Sequence, residues 1–125
     1  MAQVNIVHTT EINDASRRQF SLLARDVAAR EVHGLEPEQI EPDSVTVFVV
    51  PVDVAASMSG ADTEVQVFVS GNDWPLDQEG KPLDTAAAKH HFDGLAGRIH
   101  RTLSAKTARK LFVWVTPFTA SGWAE

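Results

Sequence analysis

The chain contains no cysteine, which excludes a disulfide framework, a thiol nucleophile and a zinc–thiolate site. Basic residues are also scarce, since 11 lysines and arginines stand against 17 acidic residues and leave a net charge of -6. The longest basic clusters are the pairs Arg17-Arg18 and Arg109-Lys110. Because a negatively charged protein repels a phosphate backbone, the sequence predicts no nucleic-acid partner.

Long apolar runs are missing as well. At the amino terminus, apolar and polar residues alternate, so the apolar core of about 7–15 residues that marks a signal peptide is missing. No apolar run in the chain approaches the roughly 18 residues of a membrane span. We therefore expect a soluble, cytoplasmic protein with no membrane partner. The length of 125 residues is typical of one domain. We therefore predict a single domain over residues 1–125 that folds without disulfides or metals.

Four segments have the patterns of β-strands. Residues 45–51 and 110–117 are almost wholly apolar and end in proline, which is typical of strands that are covered on both faces. In residues 4–8 and 63–70 the side chains that a strand places on one face are apolar and those on the other are more polar. Val4 and Ile6 share one face of the first segment, and the three valines of the second segment share one face of that strand.

Two segments have the patterns of amphipathic helices. Asn13-Asp14 supply an N-cap and Gly34 a C-cap for the first helix, and Asp84 can cap the second. Pro37 and Pro42 exclude a helix from the connection at 35–44. Apolar residues recur at three- and four-residue spacings in both helices, in the first at Phe20, Leu23, Ala24, Val27 and Ala28, and in the second at Ala88, Phe92, Leu95, Ala96, Ile99 and Leu103.

Glycines interrupt the second helix at Gly94 and Gly97, where each is unfavourable by about 1 kcal/mol relative to alanine. We expect them to allow close packing of the helix against the sheet.

The order of these elements predicts an α+β fold made of two βαβ halves, at about residues 3–52 and 63–117. Side by side, the halves form a four-stranded mixed sheet with both helices on one face. The other face is then bare and carries Thr46, Phe48 and Val50 from one strand, and Phe112, Trp114 and Thr116 from another. Because a monomer would expose this apolar patch, we expect a homo-oligomer with its sheet faces turned inward.

The chain resembles the tautomerase superfamily, which includes macrophage migration inhibitory factor, 4-oxalocrotonate tautomerase and cis-3-chloroacrylic acid dehalogenase. The resemblance rests on the two βαβ halves, the connection at 41–44, Ser59-Gly60 before the third strand and the last strand at 109–115. It implies a trimer whose sheets form a barrel, with active sites between subunits. It also implies an amino-terminal proline whose secondary amine moves protons or adds water to conjugated acids and enols, while basic side chains hold the carboxylate.

Several positions depart from that pattern. Ala2 stands where the family has its proline, and it offers a primary amine, with an ordinary pKa of about 7.7–8.0, only after Met1 is removed. Ile12 and Ile40 stand near positions where family branches place an arginine or a lysine, and Phe112 stands where a tyrosine often lies. These departures indicate that the proline-dependent catalysis of the family has been lost or replaced in this chain.

Ala2 is thus the candidate catalytic residue. The candidate binding residues are the aromatic side chains, the one lysine of the long loop at 71–83 and a histidine that precedes the C-cap of the first helix, namely Phe112, Trp114, Lys81, Trp74, Trp123 and His33. Core or interface packing competes with binding for Trp114, and a favourable helix-dipole contact competes for His33. His90 and His91 are adjacent on a helix and point about 100° apart, so we predict no metal site, and no cofactor is indicated.

Three functions remain open from the sequence. The first is a tautomerase-like protein that isomerises or hydrates a small unsaturated carboxylate by a proline-independent route. The second is a non-catalytic small-molecule-binding or interaction module on the same trimeric fold. The third is a ferredoxin-like domain of unrelated function, which shares the same order of elements.

Overall fold

A computed structural model of the chain describes residues 2–9, 13–41, 45–52 and 65–117. The elements are, in chain order, β1 (Ala2–Thr9), α1 (Asp14–His33), a short 3-10 turn (Pro37–Gln39), β2 (Val45–Val52), β3 (Val65–Asn72), α2 (Thr85–Ser104) and β4 (Leu111–Pro117). This order confirms the two βαβ halves that the sequence predicts.

The four strands form one mixed sheet in the order β2-β1-β3-β4. Within each half the two strands are parallel neighbours, and the halves meet where β1 and β3 run antiparallel. In a ferredoxin-like domain each βαβ unit is split by an intervening strand. The direct pairing of β1 with β2 and of β3 with β4 therefore excludes that alternative.

The register of the strands defines two ends of the sheet. Gln3 pairs with Ser70, and Val69 pairs with Val115, so the start of β1 lies at the same end as the finish of β4. We call this the Gln3 end. At the opposite end, which we call the His8 end, His8 pairs with Val65 in β3.

The first helix begins and ends, and the second begins, at the residues expected from their capping patterns. The Asn13 side chain accepts a hydrogen bond from the Ser16 N–H at 2.8 Å, and Gly34 ends α1 with a left-handed φ of 67°. Asp84 caps α2 in the same way, since its carboxylate accepts from the Ala87 N–H at 2.8 Å. These bonds satisfy amide groups that the helices themselves leave open.

The core lies between the helices and one face of the sheet. The alternation predicted for β1 and β3 is confirmed, because the core side of these strands is fully buried. The buried strand residues are Val4, Ile6, Val45, Val65, Val67 and Val69, and the helices cover them with Ala24, Val27, Ala28, Ala29, Leu95, Ile99 and Leu103. Each large apolar side chain buried here stabilises the fold by about 1.5–3 kcal/mol.

The other face of the sheet carries large exposed apolar side chains, as the sequence predicts. Phe48 is 50% exposed and Val50 49%, while Phe112 is 40% and Trp114 51% exposed. Their neighbours along the outer strands, such as Val47 and Val113, instead pack against the core. The described part of the chain leaves this apolar face uncovered.

Two expectations about the helices and their connections are wrong. Pro37 does not exclude helical structure, because proline fits the first position of the 3-10 turn, which Glu36 and Gln39 cap reciprocally. The glycines of α2 do not approach the sheet: a Cβ atom at Gly94 would meet the Arg98 guanidinium at 3.6 Å, and one at Gly97 the Arg101 guanidinium at 3.4 Å.

The connection after α1 is joined to the helix by an ion pair. The Arg30 guanidinium donates to the Glu36 carboxylate at 2.7 Å, and this hydrogen bond raises the pKa of Arg30 above its ordinary value. Neither described helix is long and apolar enough to cross a membrane.

Candidate functional site

A groove with a volume of about 500 Å³ lies between α2 and β4 at the Gln3 end of the sheet. We call it the α2–β4 groove. One wall is the first half of α2, the other is the end of β4, and Trp74 closes the side toward the loop after β3. The lining is mostly apolar and comprises Trp74, Thr85, Ala88, Lys89, Phe92, Asp93, Ala96, Val113, Trp114, Val115, Thr116 and Pro117. Concave, largely apolar sites with a few polar groups are typical of small-molecule binding.

Trp74 is held in place by two contacts. Its indole Nε1–H donates to the Leu83 carbonyl at 2.8 Å, and its ring meets Phe92 edge to face, with ring centroids 6.3 Å apart. Because the hydrogen bond joins the two ends of the loop and the ring contact joins the loop to α2, Trp74 has a fixed position on the groove wall.

The loop that carries Trp74 is ordered by its own hydrogen bonds. Leu76 and Pro82 form an isolated antiparallel bridge, and the Asp77 carboxylate accepts from the N–H groups of Glu79 and Lys81 at 2.8 and 2.9 Å. Gly80 makes the tight turn with φ of 81°. The long irregular segment is thus a compact hairpin-like excursion rather than an open chain.

One ion pair stands on the groove wall, formed by Lys89 Nζ and Asp93 Oδ2 at 2.7 Å. Both side chains are mostly exposed, so the pair contributes little to stability and its partners can exchange. Sequence reasoning missed Lys89. The signal was present, because a Lys–Asp pair at i,i+4 on a predicted helix beside the apolar stripe faces the same side as Phe92.

The structure brings some of the predicted site residues together. Trp74 and Trp114 both line the α2–β4 groove. Phe112 stands beside Trp114 on the exposed face, with their ring centroids 5.8 Å apart. Ala2 begins β1 and pairs with Val45, so it lies at the same end of the sheet as the groove, with β3 between β1 and β4.

The other predicted residues are elsewhere. Lys81 is exposed on the loop, 3.8 Å from the Glu79 carboxylate, and does not line the groove. His33 is exposed in the last turn of α1, directly before the Gly34 cap, where the contact with the helix dipole stays the alternative to binding. Ile40 packs against the core, while Trp123 and Ile12 lie outside the described residues.

Metal ligands do not gather in the part of the chain that the structure describes, where no three or more His, Asp or Glu side chains stand close enough to hold an ion.

By sequence, the chain matches no protein-family model and no curated protein. By fold, it is similar to solved structures over nearly its whole length. A macrophage migration inhibitory factor-like protein from Entamoeba histolytica is 13% identical, with a TM-score of 0.56, and the match covers 99% of this chain and 94% of that one.

Two further structures are similar to the same degree. One is a protein inactivated by 2-oxo-3-pentynoate, at 14% identity and a TM-score of 0.58, and the other is a symmetric trimer of wild-type fused 4-OT, at 13% identity and a TM-score of 0.54. Each match covers 93% of this chain and 85% of the other. At these identities the likeness is one of fold, and the chain has the fold of the tautomerase superfamily.

Proposed function

We propose that the protein is a homo-oligomer, built as a trimer, that binds a small unsaturated carboxylate in the α2–β4 groove. The observation that carries this proposal is the position of the groove. It has two tryptophans and a lysine on its walls, and it opens beside the exposed apolar face at the Gln3 end, where β1 begins. A neighbouring protomer that covers the face would also complete the groove.

The oligomer follows from the exposed apolar face. Phe48 and Trp114 each leave about half of their surface exposed, and exposed apolar patches mark interaction sites. A second copy of the same chain is the proposed partner, because the symmetric trimer of fused 4-OT has the same fold. Light scattering during gel filtration at micromolar concentration tests this directly, and a mass of one chain, 13.6 kDa, contradicts it.

The class of ligand follows from the chemistry of the groove. The ring faces of Trp74 and Trp114 suit a flat conjugated molecule, and the ammonium group of Lys89 suits its carboxylate. The structural relative that is inactivated by 2-oxo-3-pentynoate supports this class, because that molecule is a small unsaturated 2-oxo acid.

For the reaction we propose proton transfer in an enol or a conjugated acid. The proposed base is the Ala2 amine of the neighbouring protomer once Met1 is removed, because β3 separates Ala2 from the α2–β4 groove within one chain. The described groove residues offer no better base, since the Asp93 carboxylate is paired with Lys89. Amino-terminal mass spectrometry of the purified protein comes first, because it identifies the residue that carries the free amine.

The activity test follows the enol absorbance of phenylpyruvate and of 2-hydroxymuconate with correctly processed protein. A tautomerase-like reaction gives a rate above buffer that falls when Ala2 is blocked by acetylation. Ala2→Pro then restores the amine of the tautomerase superfamily, and we expect a further increase in rate.

The second candidate is a non-catalytic binding module. It is favoured by the ion pair between Asp93 and Lys89, because a carboxylate that is paired in this way is a poor base. It predicts quenching of the fluorescence of Trp74 and Trp114 by phenylpyruvate, with enol absorbance that decays no faster than in buffer. Trp74→Phe and Lys89→Gln then weaken binding, whereas Arg18→Gln, a matched loss of charge on α1, does not. Absence of quenching together with absence of turnover contradicts both candidates.

Two expectations from the sequence stay proposals. We propose that residues 1–125 fold as a single domain, which limited proteolysis checks by the size of the resistant fragment. We also propose a cytoplasmic location, which fractionation of cells that express the untagged protein checks.

A further inference from the structure

A second cavity, with a volume of about 190 Å³, lies at the His8 end of the sheet. It forms where the end of β1 and the start of β3 meet the first turns of α1 and the connection from α2 to β4. Ile6, Phe20 and Leu23 give it an apolar wall. We call it the His8 cavity. Gln3 and His8 are five residues apart on one strand, or about 16 Å, so the cavity is separate from the α2–β4 groove.

Basic side chains converge on the His8 cavity. Arg17 reaches it from α1, Lys106 and Arg109 reach it from the connection before β4, and His8, only 2% exposed, lies at its base. Among the residues that the structure describes, no aspartate or glutamate lines it. The charged side chains among the described lining residues are therefore all basic, in a chain whose net charge is -6, and this favours an anion as the ligand.

Arg17 has one acidic partner among the described residues, and this partner does not line the cavity. Asp14 pairs with the Arg17 terminal nitrogen, but its own side chain is 93% exposed and therefore strongly screened by water. The Nε–H of Arg17 is buried and donates to no described residue. A buried donor of this kind is stabilised by an acceptor, and an anion oxygen in the cavity supplies one.

The backbone on both sides of the His8 cavity is held by local hydrogen bonds. The Arg109 N–H donates to the Thr107 hydroxyl at 3.2 Å, and the Lys106 N–H donates to the Leu103 carbonyl at 3.0 Å, which fixes the path of the connection after α2. On the other side, Asn13 caps α1 through the Ser16 N–H. The cavity is thus framed by ordered segments on both sides.

We propose that the His8 cavity binds a small organic dianion, either a dicarboxylate or a phosphate monoester, with a short apolar part. Guanidinium groups match the paired oxygens of both anions, and the apolar part would pack on Phe20 and Leu23. The size agrees, because a cavity of about 150 Å³ holds a molecule as large as benzene. The proposal is independent of the function proposed for the α2–β4 groove.

Calorimetric titration of the full chain tests the ligand class with four probes: succinate, butyl phosphate, inorganic phosphate and butyrate. Succinate or butyl phosphate binds once per protomer, and butyrate, a monoanion of similar length, binds at least about tenfold more weakly. Binding of only one of the first two identifies the source of the dianion. Tighter binding of butyl phosphate than of inorganic phosphate shows that the apolar wall contributes to binding. No heat with any dianion at millimolar concentration overturns the proposal.

Variants on one helix locate the site. Arg17→Gln weakens dianion binding by about tenfold or more, whereas Arg18→Gln, which removes the same charge from an exposed position that does not line the cavity, leaves it unchanged. Equal weakening by both variants indicates general electrostatic attraction and overturns the proposal.

Lys106→Gln serves as the second variant, because its exposed position keeps the fold intact if Arg17→Gln does not fold. It also weakens binding by about tenfold. Loss of binding in Lys89→Gln, with Lys106→Gln unchanged, would place the dianion in the α2–β4 groove and overturn the assignment.

Discussion

Phe112 and Trp114 stand two residues apart on the exposed face of β4, with ring centroids 5.8 Å apart and ring planes inclined by 31°. They form one aromatic surface, because alternate residues of a strand share a face. Phe48 and Val50 present the same kind of surface on β2, at the other side of the sheet. Large apolar side chains therefore stand on this face at both outer strands, and the central strands between them also place the polar residues Asn5 and Gln66 there.

A charge on this face should break the oligomer. Phe48→Glu places a carboxylate where a neighbouring subunit would bury it, and an unpaired buried charge is strongly unfavourable. We expect the mass from light scattering to fall from that of an oligomer to 13.6 kDa. Leu22→Glu is the matched control, because Leu22 is equally exposed, at 49%, but lies on α1. An equal effect of both variants would count against the sheet face as the interface.

Replacing a glycine inside α2 should stabilise the protein. At Gly94 a Cβ atom meets the Arg98 side chain at an ordinary contact distance of 3.6 Å, so alanine fits and restores helix propensity. We expect Gly94→Ala to raise the free energy of unfolding by about 1 kcal/mol. Urea titration followed by circular dichroism measures it. Gly34→Ala has the opposite effect, because φ of 67° at the C-cap strains any residue with a Cβ atom.

Removal of the α2 cap should destabilise the protein. Asp84→Ala deletes the carboxylate that accepts from the Ala87 N–H, and we expect the free energy of unfolding to fall by about 1 kcal/mol. Thermal unfolding measures the loss. Asp73→Ala removes the same charge from an exposed loop position and should leave the melting temperature unchanged. A similar fall in both would mean that net charge, rather than capping, is responsible.

Trp74 should control the order of the loop after β3. Trp74→Phe keeps a ring against Phe92 but loses the hydrogen bond to the Leu83 carbonyl, which is worth about 1 kcal/mol. We expect faster amide hydrogen exchange at residues 75–83, read by mass spectrometry, with the helices unaffected. Trp114→Phe is the control, since no hydrogen bond or ring contact between described residues joins Trp114 to this loop. Unchanged amide exchange in Trp74→Phe would show that the bridge from Leu76 to Pro82 keeps the loop ordered without the Trp74 hydrogen bond.

The elements of the fold could be predicted because local signals agree with each other. Three helix boundaries could be predicted from the capping chemistry of single residues, and the structure confirms all three, at Asn13, Gly34 and Asp84. The exposed face could also be predicted, because a strand with apolar residues at every position must present half of them away from the helices.

The sites were harder to predict because they depend on contacts between distant segments. The α2–β4 groove exists only because the loop after β3 folds back and places Trp74 on Phe92. The burial of His8 had a signal that sequence reasoning did not use, since His8 continues the alternation of Val4 and Ile6. The error at Gly94 has a similar cause, because the rotation of α2 decides what its glycines face.

The strand order leaves β2 and β4 as the outer strands of the described sheet, and these are the two most apolar strands of the chain. Outer strands with open amide and carbonyl groups can pair with any other chain, and natural proteins usually guard them with charges or bulges. In the proposed oligomer, association with other copies would protect these strands. On that proposal a newly made chain either joins an ordered oligomer or aggregates, so a low expression temperature and early contact with other copies should raise its yield.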